Sequence, residues 1–280
     1  MAIFTPDGAI CLDQGLEHPA PPPREAWVTC TQPLLFPPLY MIERFARCDA
    51  VVLMQEAQHS RQAEHSWLML SSPTGPLKVS LRCKAKNRRP LDEIEVLDLE
   101  RWCANLRRRL RLTYGRQPGY AAIAPALDAF LDQLGWLQDP TLHAVARQTM
   151  RWCCDVVGVH AAWHDSKRLV AERPASAPHW LAALAAAVGA TDYVQGETSI
   201  RDYFVPGAFR RQGIRVWAQA WRPPEVPRLG DPYNPRISVL DALLVAGPAW
   251  VRAAIAADAG PGNAGPNNGG QSMLCMAAYE

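Results

Sequence analysis

The chain has 280 residues, of which 49% are hydrophobic and 20% charged, and its formal net charge is +2. This is the composition of an ordinary globular protein that can bury a substantial core. So small a charge gives no argument for DNA or an anionic membrane as a partner. No apolar run approaches the roughly eighteen residues of a membrane span, and the first residues lack the pattern of a signal peptide. We therefore expect a cytoplasmic protein without a membrane span.

The eight cysteines are scattered along the chain and form no C-x-x-C pair. Cys153 and Cys154 are adjacent, which is too cramped for an ordinary metal clamp. We interpret the cysteines as reduced and mostly buried thiols rather than a disulfide framework or a zinc site. The sequence predicts no metal centre.

Composition divides the chain into three parts. Residues 1–25 form a proline-rich arm, for which extended geometry is expected. Residues 26–256 are predicted to form a single α/β domain with a helical insertion at about 98–157. Residues 257–280 are rich in glycine, proline and asparagine, and we predict a disordered tail there.

The first elements of the domain predict its fold class. Residues 27–30 read as a buried strand, residues 40–48 as a helix with one apolar face, and residues 50–54 as a second buried strand. A strand, helix and strand within about thirty residues is a βαβ unit, which requires a parallel sheet and a right-handed crossover. We therefore expect a mainly parallel sheet flanked by helices.

The remaining elements extend this pattern. Residues 67–70 and 77–81 predict a hairpin at a sheet edge, and residues 84–90 form a basic loop that either is solvated or faces an anionic group. The helices of the insertion are expected to form a cap over one sheet face. Further predicted elements are helices over 99–114, 121–136, 141–157 and 178–188, strands over 191–196 and 214–218, and a helix opened by Ser238 and Asp241.

Short motifs at the strand ends resemble the WbqC-like protein family. Near the first two strands these are Gln32-Pro33, the turn 36–40, Cys48-Asp49 and Ala57-Gln58. A second signature, a glycine loop followed by Arg-Asp-Tyr, is matched by Gly196 with Arg201, Asp202 and Tyr203. A third is matched from Pro235 to Leu243, where Ile237 replaces a leucine ahead of Ser238 and Asp241.

The resemblance implies an enzyme of bacterial O-antigen biosynthesis that transfers an acyl or aminoacyl (glycyl) group. An amine or hydroxyl of a small sugar or secondary metabolite would be the acceptor. An aminoacyl-tRNA, a carrier-protein thioester or coenzyme A would carry the donor group, although the small net charge argues against extensive tRNA contact. No other cofactor is indicated, because no nucleophile elbow, P-loop, H-E-x-x-H helix or dinucleotide fingerprint occurs in the sequence.

The sequence departs from the family pattern in one half of the expected pocket. Thr31 stands where a histidine precedes Gln-Pro, and Gln55-Glu56 replaces an acidic pair. Residues 64–69 replace a Trp-x-Asn-Arg segment. These departures predict a different substrate or a loss of activity.

Polar residues after the predicted strands supply the candidate site, because ligands of parallel sheets bind beyond the carboxyl ends of the strands. The candidate acid and base groups are His59, Glu56 and Asp202. Each has a structural alternative: a surface loop for the first two and a salt bridge for the third. The candidate substrate-binding residues are Gln32, Gln58, Arg201, Tyr203, Ser238 and Asp241, with helix capping as the alternative for the last two.

Two other functions remain open from the sequence. An ATP-dependent ligase or nucleotidyl-transferring enzyme would use the same α/β framework, with ATP near Gln32 and Gly196. A non-catalytic module that binds a metabolite or a carrier protein is favoured by the departures at Thr31 and Gln55.

Overall fold

A computed structural model describes most of the chain. The described residues are 2–4, 10–12, 26–84, 88–196, 199, 205–219, 221, 224–230, 234, 236–257 and 273–275.

The main sheet has six strands, which are β3 (Trp27–Thr31), β4 (Ala50–Leu53), β7 (Ala162–Asp165), β8 (Asp192–Gly196), β9 (Arg215–Gln219) and β10 (Met273–Cys275). Their order in the sheet is β10-β9-β8-β3-β4-β7. Five of them are parallel, and β10 pairs antiparallel with β9. The predicted α/β class with a mainly parallel sheet is confirmed.

Two small antiparallel pairs lie outside this sheet. The predicted hairpin is formed by β5 (Trp67–Leu70) and β6 (Leu77–Ser80). It was expected at an edge of the main sheet, but it forms a separate two-stranded sheet. In the N-terminal arm, β1 (Ala2–Phe4) pairs with β2 (Ile10–Leu12). The prediction of an extended arm included no such pair, and the prediction of a disordered tail did not include β10.

The helices lie in two layers. They are α1 (Leu39–Ala46), α2 (Leu99–Tyr114), α3 (Pro118–Gly135), α4 (Leu142–Val157), α5 (Ser166–Leu169), α6 (Ala177–Ala187), α7 (Pro206–Arg210), α8 (Val239–Val245) and α9 (Pro248–Ala256). A single turn of 3-10 helix, Leu91–Glu93, precedes α2. None of the helices in the described part of the chain is long and apolar enough to cross a membrane.

Successive side chains of the central strands pack into two hydrophobic cores, one on each face of the sheet. Val51 and Leu53 of β4 belong to the core that contains α1 and α2–α4, whereas Ala50 and Val52 belong to the core formed with α6 and α7. Successive side chains of a strand point to opposite faces, so a strand buried on both faces must be apolar throughout. This is why β3 and β4 read as continuous apolar runs.

The βαβ unit is closed by specific local contacts. Pro38 precedes the first turn of α1 with φ −63° and ψ 158°, outside the helix. After the helix, Asp49 Oδ2 accepts the backbone N–H of Trp27 at 2.8 Å, which joins the start of β3 to the residue before β4. The crossover therefore returns to the amino edge of the sheet, and both strands end at the opposite edge.

The insertion is packed onto the domain rather than separate from it. Trp102 of α2 donates its indole N–H to Ser80 O at 3.0 Å, and Tyr114 at the end of α2 is fully buried. The helices α2, α3 and α4 share their core with α1 and with one face of the sheet.

Candidate functional site

The strand order reverses between β3 and β8. From β3 the chain passes through α1 to β4 on one side, and from β8 it passes through α7 to β9 on the other side. The helices α1 and α7 lie on opposite faces of the sheet. At such a reversal the two connections diverge and leave a crevice beyond the carboxyl ends of the strands, where ligands of open parallel sheets bind. We call this region the switch-point crevice.

Gln32 is the first residue after β3 and is exposed at this edge. Residues 54–59 emerge beside it, because Thr31 is paired with Leu53 in the parallel register. Gln58 is also exposed, and its backbone forms a bridge to Pro90. The structure therefore places both predicted glutamines at the carboxyl ends of neighbouring strands, as the sequence predicted.

A buried histidine holds the side chain of Gln32. His65 is only 1% exposed, and its Nδ1 accepts the backbone N–H of Ser60 at 3.3 Å. Since a backbone N–H can only donate, Nδ1 carries no proton, and the neutral ring has its proton on Nε2. Nε2 lies 2.8 Å from Gln32 Oε1 and donates to it. Burial and the nearby His59 lower the pKa of His65 to about 4, so this arrangement is the one present at neutral pH.

His59 lies next to this pair, with its ring centroid 6.0 Å from that of His65. Its backbone N–H donates to Arg89 O at 2.8 Å, which fixes the position of the residue. The side chain is buried, and neither ring nitrogen has a hydrogen-bond partner among the described residues. Burial, and after it the charge of Arg61, lowers the pKa of His59, so the imidazole is neutral at pH 7.

Glu56 is separate from His59 and is bound to the neighbouring strand end. Its Oε2 accepts a short hydrogen bond from Ser166 Oγ, and the same hydroxyl accepts the backbone N–H of Gln55 at 3.2 Å. Ser166 is fully buried at the point where β7 passes into α5. Glu56 thus joins the carboxyl ends of β4 and β7, and it makes no hydrogen bond to the imidazole of His59.

A second polar group lies at the end of β7. His143 Nε2 is 3.2 Å from Asp165 Oδ1, but the contact is not aligned as a hydrogen bond. Arg147 Nε lies 3.6 Å from the same oxygen. Burial raises the pKa of Asp165, but His143 and Arg147 outweigh this effect and hold the pKa below its ordinary value. This carboxylate is therefore ionised at neutral pH.

Ser238 and Asp241 have well-defined contacts at the start of α8. Ser238 Oγ accepts the N–H of Leu240 at 3.1 Å, which is a helix cap. Asp241 is fully buried and accepts the N–H of Ser71 at 2.6 Å, the hydroxyl of Ser71 at 2.8 Å and a short hydrogen bond from Tyr114. Burial raises the pKa of Asp241 in spite of these donors. Both residues bind the protein itself; their proposed contact with a substrate stays a prediction.

Three predicted site residues, Arg201, Asp202 and Tyr203, lie outside the described residues. Gly196, which opens that signature, is described as the last residue of β8. Cys30, which lies next to the site, is buried in β3 as expected for the cysteines of this chain, and burial raises its thiol pKa far above the ordinary value. It is therefore protonated and unreactive at neutral pH.

Sequence reasoning missed three residues of this edge. His65 stands in a polar stretch that carried no motif, and neither Ser166 nor Arg44 was assigned to any site. A signal existed only for Arg44, because the segment of the short crossover helix α1 has three charged residues close together, Glu43, Arg44 and Arg47. In the structure Glu43, Arg44 and Arg47 are all buried.

Comparison with known proteins identifies the family. The model of the WbqC-like protein family matches residues 32–253, which is most of the chain. The chain belongs to this family. The matched segment begins at Gln32 and includes the whole carboxyl edge described above. A search of curated proteins finds no match, so the family assignment does not bring a reaction with it.

Proposed function

We propose that this WbqC-like protein is a transferase that moves an acyl or aminoacyl group onto an amine or hydroxyl of a small acceptor. The observation that supports it is His59, a buried neutral imidazole without a hydrogen-bond partner among the described residues. Leaving a buried polar group unpaired costs about 1–3 kcal/mol, so the unpaired imidazole is a position at which a ligand or a water molecule would be stabilised. An acceptor N–H or O–H would provide the missing partner.

The proposed step uses the two side chains of this edge in different roles. His59 accepts the proton of the acceptor nitrogen or oxygen as that atom attacks the acyl carbonyl carbon. The new C–N or C–O bond forms, the bond between the acyl carbon and its carrier breaks, and the proton passes to the leaving sulfur or oxygen. The amide N–H groups of Gln32 donate to the carbonyl oxygen as it gains negative charge. His65 is a positioning residue that holds Gln32 through its Oε1.

Among the donors, a carrier-protein thioester agrees best with the surface of α2. Arg101, Arg108, Arg109 and Arg111 are exposed on this helix and form no ion pair with any described residue, and Leu112 beside them is 78% exposed. A basic helix face with an apolar residue complements an acidic protein helix. The net charge of +2 is small for a protein that follows a nucleic acid backbone.

Release of the free carrier tests the reaction directly. The protein is incubated with an acyl carrier protein thioester, acyl-CoA or aminoacyl-tRNA, together with an amino-sugar nucleotide as acceptor, and release of the free carrier is followed. We expect acceptor-dependent turnover that His59→Asn abolishes without lowering the melting temperature. Reversal of charge at Arg108 and Arg109 should slow turnover with the carrier protein and not with acyl-CoA. Absence of turnover with every donor, or a fully active His59→Asn variant, would contradict the proposal.

A non-catalytic binding module is the second candidate. The enclosure of both His59 nitrogens favours it, because a ligand could use them for hydrogen bonding alone. In that case the protein would bind the acceptor, but no free carrier would be released from any of the donors.

A further inference from the structure

Helix α1 buries charged residues on the side that faces β8 and β9. Glu43 is fully buried, and Arg44 and Arg47 are 8% and 6% exposed. Arg47 forms a short ion pair with Glu43 Oε1, and Gln219 Nε2 donates to Glu43 Oε2 and, at 2.8 Å, to Tyr40 O. Both carboxylate oxygens of Glu43 are therefore engaged by groups other than Arg44.

Arg44 is left with an incomplete set of partners. Its Nε donates to Gln219 Oε1 at 2.9 Å, and the Tyr40 ring centroid lies 6.0 Å from the guanidinium carbon. Among the described residues, Nη1 and Nη2 make no hydrogen bond, and no carboxylate forms an ion pair with the group. Burial is the largest effect on its pKa, which it lowers. The charge of Glu43 acts on the guanidinium, but that carboxylate is paired with Arg47 and lies beyond ion-pair distance of Arg44. An enclosed cation without a direct ion-pair partner is costly for a folded protein.

Gly196 provides the space into which this guanidinium extends. A Cβ atom built at Gly196 would lie 2.6 Å from Arg44 Nη2 and 3.4 Å from Cζ. The backbone of Gly196 is not in the left-handed region, so its conformation does not demand glycine. Glycine is required at this position because the Arg44 side chain approaches the backbone closely at the carboxyl end of β8. The guanidinium thus lies at the switch-point crevice. This crevice is bordered by α1, which follows β3, and by Gly196, which is the last residue of β8.

We propose that Arg44 binds an oxyanion of a ligand, a carboxylate or a phosphate group, in the switch-point crevice. The Nη1 and Nη2 ends of a guanidinium form a planar fork that suits two oxygens of such a group. Gln219 holds Nε and so sets the plane of the fork, and Gly196 leaves it room. The bound anion supplies the direct ion pair that no described carboxylate forms with Arg44. This inference concerns binding alone and does not require the transfer reaction.

Anion-dependent stabilisation tests the site without any knowledge of the natural ligand. The melting temperature of the full chain is measured in phosphate, acetate and chloride at equal ionic strength and pH, and phosphate binding is measured by calorimetry. We expect stabilisation by phosphate or acetate over chloride, because a ligand that binds only the folded state raises its stability. Stabilisation by phosphate alone would assign the site to a phosphoryl group, and stabilisation by acetate as well would assign it to a carboxylate-sized oxyanion.

Three variants separate the site from general charge effects. Arg44→Met should abolish the anion response, with phosphate binding weaker by roughly tenfold or more. Gly196→Ala should weaken it at unchanged net charge, because the added methyl displaces the guanidinium. Gly207→Ala is the matched control, since its added Cβ meets nothing closer than Arg211 Nη1 at 3.8 Å.

The proposal is overturned if wild type melts at the same temperature in all three salts. It is also overturned if Gly196→Ala retains the full response, a result that remains decisive should Arg44→Met fail to fold. Loss of transferase activity with an intact anion response would count against the proposed reaction and leave this site in place.

Discussion

His65 determines which end of the Gln32 amide is available to a ligand. The Ser60 N–H occupies Nδ1, the proton of the neutral ring is therefore on Nε2, and Nε2 must meet the oxygen of Gln32 rather than its nitrogen. The Nε2 amide group of Gln32 makes no hydrogen bond to any described residue. Two N–H donors are thus presented at the carboxyl end of β3 in a fixed orientation.

Replacement of Gln32 should affect ligand contact more than folding. Gln32→Ala removes two free donors from an exposed side chain, but it also leaves the buried Nε2–H of His65 without its acceptor, so we expect the free energy of unfolding to fall by about 1–3 kcal/mol. Loss of one hydrogen bond to a developing charge should lower kcat/KM by roughly 10- to 100-fold. Gln148→Ala, at an exposed position of α4, is the control. Unchanged kcat/KM in the Gln32 variant would exclude Gln32 from the site.

Stability should fall as the pH is lowered, because His65 is buried in its neutral form. Its folded pKa of about 4 is below the ordinary value of 6.5, so between these values the unfolded chain binds a proton that the folded chain does not. The free energy of unfolding therefore rises with pH across this window and is lower by about 3 kcal/mol below it. Burial lowers the pKa of His59 as well, which adds a dependence of the same sign.

Urea unfolding of wild type and His65→Asn at several pH values measures this effect. Both proteins retain His59, so the difference between their pH dependences reports position 65. We expect the slope of the free energy of unfolding between about pH 4 and 6.5 to be smaller in the variant. Identical slopes would show that His65 titrates normally in the folded protein.

Asp241 offers a test between a structural and a binding role. Asp241→Asn places a buried amide NH₂ where Oδ2 accepts from Ser71 Oγ, and its uncharged oxygen accepts the remaining hydrogen bonds from Ser71 and Tyr114 more weakly than a carboxylate does. We expect a loss of about 2–3 kcal/mol in the free energy of unfolding and unchanged kcat/KM for the folded fraction. Asp98→Asn, at an exposed salt bridge, should cost far less. Weaker ligand binding at unchanged stability would assign Asp241 to the site instead.

The sequence predicted those parts of the fold that depend on local pattern. The apolar runs of β3 and β4, Pro38 before α1 and the cap at Ser238 each follow from residues close together in the chain. It could not predict β10, because three residues in a biased tail contain no periodicity and pair with β9 across more than fifty positions.

The sequence could predict where the candidate site residues lie in the fold, but not which side chains they contact. The strand ends at Gln32 and Gln58 followed from the parallel register. The contact of His65 with Gln32 did not, because it joins two loops, and residues 64–69 were interpreted as a departure from the family pattern. The histidine expected immediately before Gln-Pro is absent at Thr31, yet the structure places His65 against the same glutamine.

A substitution at Arg61 can test whether His59 is the catalytic base, through the pH dependence of kcat/KM. If His59 must be neutral to accept a proton, kcat/KM falls as the pH drops through its pKa. Burial is the first cause of its lowered pKa and the positive charge of Arg61 is the second. Arg61→Gln removes that charge, so the pKa rises toward 6.5 and the acid limb of the profile should move to higher pH. Arg61 is exposed, so no loss of folding is expected.

The profile is recorded from about pH 4.5 to 8 for wild type and Arg61→Gln, with Arg101→Gln on α2 as a charge-matched control. We expect the limb to move only in the Arg61 variant. A purely structural His59 would leave the limb in place, because the pKa of a group outside the reaction does not appear in kcat/KM. Movement of the limb by the same amount in Arg101→Gln would point to the overall charge of the protein rather than to His59.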